Sequence, residues 1–332
     1  MNKTYKALTF AVVLLTAASC SKNADVNQNV DQELTTLDVT PTGRNCGSME
    51  VLAANIKENP QLLLQMNAIE EQTSRFLSGK KDLKTGIKAT PFTGTVEIPV
   101  YVHVIYNKAI ENISTAQIQS QIDVLNKDFS ATNADVNQTP GVFSSTVSNM
   151  NIHYTLAGVD RTASKKTSWG TRDAMKSSKR GGVDAIDPAH NLNIWVCNIG
   201  GGILGYAQFP GGNASTDGVV IGPNYFGNAG YVSAPYDKGR TATHEIGHWL
   251  NLRHIWGDGG CGVDDYVADT PGSDSPNYGC PAFPTVKCSQ TNMTMNYMDY
   301  TDDPCMYMFT NGQKDRTRAI FASDGARFSF VQ

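Results

Sequence analysis

The 332-residue sequence contains no glutamate after Glu245, only six histidines, and no excess of basic charge. Each shortage narrows what the chain can do. Lys and Arg number 27 against 31 Asp and Glu and form no stripe, which argues against a nucleic-acid partner. The apolar run from Ala7 to Ala18 is interrupted by Thr9 and Thr16 and is too short to span a bilayer. No internal repeat is visible, so solenoid and propeller architectures are set aside.

What is present is concentrated in eleven residues. His244-Glu245-Ile246-Gly247-His248-Trp249-Leu250-Asn251-Leu252-Arg253-His254 hold three of the six histidines. His244 and His248 are four apart, so on a helix their imidazoles project from one face, one turn above the other. Glu245 can then approach an open coordination position, where an attacking water sits. The helix must stop for His254 to return to a shared metal, and Asn251 stands where a left-handed turn is needed. The missing glutamates matter here. Hydrolases that take a downstream Glu as third zinc ligand have none available in this chain, which leaves His254 for that place. The competing reading is a helix with incidental histidines.

The N-terminus has the pattern of an export signal over residues 1–20. Lys3 and Lys6 precede the apolar run, and Ala17-Ala18-Ser19-Cys20 supplies small residues for cleavage. A cysteine directly after small residues resembles the bacterial lipoprotein box. The product is therefore expected to leave a bacterial cell, either secreted or held at the outer membrane by a lipid on Cys20. Export permits disulfides. Of seven cysteines, Cys46 stands alone in the N-terminal part and Cys197 lies in an apolar strand. Cys261, Cys280, Cys288 and Cys305 cluster late in the chain, enough for two bridges with three possible pairings.

Residues 21–43, rich in Asn, Asp, Thr and Val, read as a tether. Residues 44–80 carry a helical apolar pattern, and the basic, Gly-punctuated stretch from Gly79 to Lys88 reads as an exposed linker. The main domain is expected over 91–332. It opens with a strand at Val96–Tyr106, followed by a helix capped by Ser114 with Ile118, Ile122, Leu125 and Phe129 on one face. Further strands are expected at 152–157, 192–198 and 219–221, and the histidine helix near Asp237. The stretch from 255 to 310 is Gly-, Pro-, Asp- and Cys-rich with little periodicity. A last helix begins at Thr310, with Gln313 completing a capping box. Gly205–Pro210 is the candidate edge strand along which an extended peptide pairs.

Together, the eleven-residue motif, Asn296-Tyr297-Met298-Asp299-Tyr300 and the stretch from Cys305 to Thr310 resemble the metzincin metalloproteases. Within them the chain is similar to the pappalysin family, in particular its ulilysin-like microbial members. The likeness covers about 91–332, and Arg44-Asn45-Cys46-Gly47 adds a short upstream motif. It implies an α+β catalytic domain, with a twisted mixed sheet, the zinc helix above the cleft, and a loop-rich, disulfide-braced lower half ending in a helix. Met298 would form the hydrophobic floor beneath the zinc, and Tyr300 would stabilise the oxyanion. Asp303 would select Arg or Lys after the scissile bond. Asp264, Asp265, Asp269 and Thr270 would hold calcium, and the bridges would be Cys261–Cys288 and Cys280–Cys305. Cys46 would place a thiolate in the open zinc position, making 21–90 a tether and inhibitory pro-segment. One position departs from the family, which usually has Gly where this chain has Asn251. The resemblance thus implies a zinc endopeptidase made as a zymogen, acting as a monomer on protein or peptide substrates. The alternative is a non-catalytic zinc-binding lipoprotein or adhesin on the same fold.

Overall fold

The computed structural model describes residues 43–332. The export signal, Cys20 and the tether up to residue 42 lie outside the described residues. The core is a five-stranded sheet. Strand β1 (Val96–Tyr106) lies between β2 (Ile152–Ala163), at one edge, and β3 (Leu192–Val196), the middle strand. Strand β4 (Gly205–Ala207) is the other edge, paired antiparallel to β5 (Val219–Ile221), and the other pairings are parallel.

The apolar content of β1 has a direct consequence. Val96, Ile98, Val100, Val102 and Val104 are all fully buried on one face, and His103 and Ile105 are buried on the other. A strand covered on both faces needs helices or loops on each side. Helix α3 (Thr115–Phe129) covers β2 with Ile118, Ile122, Leu125 and Phe129, and Ser114 Oγ caps it by accepting from Gln117 N at 3.1 Å. The histidine helix α4 (Arg240–Trp249) packs along β4 and β5 and against α3, and every one of its residues is buried.

Helix α4 begins at Arg240, later than Asp237, because Gly239 adopts a left-handed φ of 76° before it. Its cap comes from far away in the chain. Asp303 Oδ2 accepts from Lys238 N at 2.8 Å and Arg240 N at 3.2 Å. A carboxylate at a helix N-terminus is favoured by the dipole and by the orphan amides.

Beyond α4 the chain is largely irregular until α5 (Asn311–Ala319), which the Thr310–Gln313 capping box opens. Disulfides Cys261–Cys288 and Cys280–Cys305, each with Cα atoms 5.5 Å apart, brace this half. The upstream helical pattern forms two helices, α1 (Ser48–Glu58) and α2 (Gln61–Leu77), broken where Asn59-Pro60 interrupts the ladder. Neither helix is deeply set in the core: α1 buries only Ser48, Val51 and Leu52, and α2 buries Leu62, Gln72 and Thr73. Leu63 and Leu64 face outward. The grip on α2 is largely polar, through Glu70 on Arg316 (2.7 and 2.6 Å) and Gln72 on the Ala319 carbonyl and Asp324. No described helix is long and apolar enough to cross a membrane.

Candidate metal centre

One face of α4 carries His244 and His248, and the chain then reverses to bring in His254. The reversal is local. Asn251 takes a φ of 72°, and Leu252 N bonds back to Gly247 O at 2.9 Å, closing the helix C-terminus. The Asn251 side-chain amide nitrogen is buried without a partner, so this position uses its backbone and not its side chain. Asn251→Gly is therefore expected to leave stability level or higher, and Asn251→Ala to lose about 1–2 kcal/mol through its left-handed strain. Urea unfolding of the two variants checks this; equal stabilities would contradict it.

Each imidazole is oriented through Nδ1. His244 Nδ1 donates to Tyr297 O at 2.6 Å, His248 Nδ1 to Leu252 O at 2.8 Å, and His254 Nδ1 to Asp258 Oδ1 at 2.6 Å. Carbonyl and carboxylate oxygens only accept, so all three rings turn an Nε2 lone pair inward. His248 Nε2 and His254 Nε2 lie 3.1 Å apart, acceptor facing acceptor, and His244 Nε2 is buried with no partner. Burial and then the neighbouring rings hold His244 and His248 well below the usual imidazole range, so both are neutral. Three converging lone pairs in a dry site are favourable only around a cation. A tetrahedral ion with metal–nitrogen bonds of about 2.0 Å places its nitrogens roughly 3.3 Å apart, close to the spacing seen. The residues fit zinc. His103, His153 and His190 stand elsewhere, each paired with a carboxylate of its own.

The fourth side of the site is filled from the N-terminal segment. Cys46 Sγ and the three inward histidine nitrogens all lie within 4.8 Å of one another, and all four residues are buried. Cys46 Sγ is also 3.2 Å from Glu245 Oε2, and Ser48 Oγ donates to the same oxygen at 2.8 Å. Burial raises the Glu245 carboxyl to about 7, partly offset by those two bonds. Burial, reinforced by the Glu245 charge, pushes the Cys46 thiol upward; a cation at the imidazoles is what would favour the thiolate. The segment pairs with the sheet edge, parallel to β4, through Gly47 N to Gly205 O and Leu204 N to Asn45 O, both 2.9 Å.

Met298 is fully buried against α4, and a Cβ on Gly247 would meet its Sδ at 2.4 Å. Any larger residue at 247 would force the Met298 side chain to shift. Tyr300 packs edge-on to His254, 4.9 Å between ring centres, and its hydroxyl donates to the Cys46 carbonyl at 3.3 Å. Burial raises its hydroxyl pKa, so it is a proton-bearing donor. Three contributors escaped the sequence reading. Ser48 and Gly247 carry no spacing signal of their own, and Asp258, whose carboxylate orients His254, is one of many acids in the Gly- and Asp-rich stretch after 255.

Asp303 is fully buried beside this centre. Arg44 meets it with NH2 to Oδ1 at 2.5 Å, Nε to Thr301 O at 3.0 Å and NH1 to Thr241 Oγ1 at 3.4 Å, with the Tyr236 ring 5.2 Å from the guanidinium carbon. All three guanidinium nitrogens are therefore read.

The four calcium candidates do not form one cluster. Asp265 is buried, bonds Thr270 Oγ1 and Val267 N, and is raised by burial to about 7. Asp264 caps Tyr266 N. Asp269 accepts from Thr310 Oγ1 at 2.6 Å and Gly312 N at 2.9 Å, capping α5.

Comparison with known proteins agrees with this geometry. A family model described as pregnancy-associated plasma protein-A, of the peptidase M43 group, matches residues 177–322. "Extracellular metalloprotease 1" of Coccidioides posadasii is 34% identical over 237 residues, 68% of this chain and 77% of that protein. The chain is a pappalysin-family metalloendopeptidase. This pappalysin also superimposes on solved structures from Tannerella forsythia. Mature mirolysin in complex with a cleaved peptide is 48% identical, with a TM-score of 0.70, covering 72% of this chain and 96% of that one. A glutamate-to-alanine variant of promirolysin is 42% identical, with a TM-score of 0.78, covering 86% of this chain and 97% of that one. The metzincin-like α+β fold stands on these likenesses.

Proposed function

We propose that this pappalysin is an exported zinc endopeptidase made as a latent precursor, which cleaves peptides on the N-terminal side of arginine. The observation that carries the reading is the joint placement of Arg44 on Asp303 and Cys46 on the three imidazoles, two residues apart in one segment. Relatives named as extracellular metalloproteases support export. The longer overlap with promirolysin than with mature mirolysin supports a latent form containing residues 43–90. The lipid on Cys20 remains part of the proposal.

Direction explains why the segment inhibits without being cut. Asp303 marks the side of the cleft that takes the residue after the scissile bond. A substrate must run towards it, antiparallel to β4, whereas residues 44–48 run away from it, parallel to β4. The segment thus occupies substrate pockets in the reverse sense. Loss of the segment frees Glu245 from Cys46 and Ser48, Tyr300 from the Cys46 carbonyl, and the Leu204 and Gly205 edge groups for substrate.

Zinc, when bound, supplies the positive charge that activates the attacking water and polarises the peptide carbonyl. Glu245 takes the proton at a carboxylate oxygen and hands it to the leaving amine. Tyr300 donates its hydroxyl proton to the carbonyl oxygen, as it now does to Cys46. Gly205 O and Leu204 N hold the peptide backbone. Three separate acceptors around one guanidinium favour arginine over lysine, whose ammonium cannot satisfy the fork.

Asp303→Asn is expected to lower kcat/KM for an arginine-containing peptide by about 30-fold or more, since an unpaired buried guanidinium loses 2 kcal/mol or more. Its ratio to a leucine peptide, measured with the same enzyme, corrects for the α4 cap that the mutation also touches. An unchanged ratio would remove the arginine reading. Incubation of the full chain with zinc and calcium, followed by N-terminal sequencing, tests the whole proposal by giving the cut sites. For calcium, the proposed ligands are Asp264, Asp265, Asp269 and Thr270.

A further inference from the structure

On the side of the metal centre away from Asp303, a cleft of about 480 Å³ opens between α1 and the stretch from Ala207 to Asn213. Its inner end adjoins the reaction centre, since Phe209 lies against His248 with ring centres 5.2 Å apart. Its outer end carries two guanidinium groups, Arg172 and Arg180. Arg180 is fixed by the carbonyls of Arg172 and Asp173 at 2.8 and 2.6 Å and pairs with no carboxylate among the described residues. Of the two acids lining the cleft, Asp173 is already committed to Lys176 at 3.0 Å and to the Tyr206 hydroxyl at 2.9 Å. Arg172 meets only Glu58, the last residue of α1, at 3.1 Å.

The N-terminal segment therefore places charge of the right sign on both sides of the metal centre. Arg44 sits on Asp303 at one end, and Glu58 sits on Arg172 at the other. Once the segment leaves, two guanidiniums remain without a counter-charge beside a chain edge free to pair with substrate. A peptide antiparallel to β4, with its reacting bond beside Gly205, advances about 3.3 Å per residue. Residues two to four before that bond then lie opposite Ala207 to Phe209, within side-chain reach of the pair.

We propose that Arg172 and Arg180 form an acid-selecting subsite, which receives an Asp or Glu side chain two to four residues before the scissile bond. The inference rests on the arginine-directed protease reading and adds a second recognition element to it. Preferred substrates then carry an acid, a short spacer and an arginine, in that order. The two attractions act on opposite sides of the bond and keep the peptide in a single direction. Because the guanidiniums face solvent, the preference is moderate and weakens with salt.

The test uses enzyme matured from the full chain and a peptide set with arginine after the scissile bond. Glu, Gln or Lys is placed in turn at the second, third or fourth position before it. At one position the Glu peptide is expected to exceed the Lys peptide about tenfold in kcat/KM, with the ratio falling as salt rises. Arg172→Glu, whose wild-type side chain bonds only the departing segment, should bring that ratio to unity or invert it; Arg180→Gln should lower it. Equal rates for Glu and Lys at all three positions, or a preference that survives both substitutions, would overturn the subsite. If no peptide is cut, the Gln set included, the arginine reading falls with it, whereas cleavage at one common rate removes the subsite alone.

Discussion

Glu245→Gln should leave a folded, zinc-loaded protein whose kcat against an arginine-containing peptide falls by about 10²–10⁴-fold, the usual worth of a positioned general base. The carboxamide keeps the shape and still accepts from Ser48, so folding and latency are preserved. It cannot take the proton. The imidazoles are untouched, with their Nδ1 atoms still held by Tyr297 O, Leu252 O and Asp258. One zinc per chain by elemental analysis, together with the lost turnover, is the expected pair of results. Turnover within tenfold of wild type would overturn the role given to Glu245 and revive a non-catalytic reading of the fold.

The second large effect concerns latency. Cys46→Ala removes the sulfur from the metal's fourth side, and Arg44→Ala leaves Asp303 buried and unpaired. Breaking one partner of a buried pair costs about 3–5 kcal/mol. Most of that loss falls on the closed form, because substrate arginine can replace Arg44 in the open one. The double variant is therefore expected to populate the open state about 10²–10³-fold more than wild type and to mature or act while still full length. Initial rates on freshly purified protein, with intact mass measured alongside, decide the matter. A double variant as silent as wild type and uncut at its N-terminus would show that α1 and α2, through Glu70 on Arg316, suffice to close the cleft.

Legibility varied along the chain for physical reasons. The β1 strand and the Ser114 and Thr310 caps were readable because β-branched content and capping depend on residues close in sequence. The start of α4 was placed too early, because its N-terminal acceptor is Asp303, far away in the chain. The partners of Asp269 were hidden for a similar reason, since Thr310 and Gly312 lie far along the chain from its loop. Ser48 gives no sequence signal, yet it ties the N-terminal segment to both Glu245 and Ala207 N.

By itself the sequence determined the chemistry on α4. Helix geometry fixes the spacing of His244, Glu245 and His248, and the lack of any later glutamate leaves His254 to complete the set. Only the tertiary structure decided what surrounds that chemistry. It put Arg44 on Asp303, Cys46 on the imidazoles, Asp258 behind His254, and Arg172 with Arg180 at the far end of the cleft. Arg44 and Cys46 meet Asp303 and Glu245 across 259 and 199 residues. Even Asp258 and His254, four apart, meet outside any helix. These pairings arise from burial and charge matching, for which linear spacing carries no code.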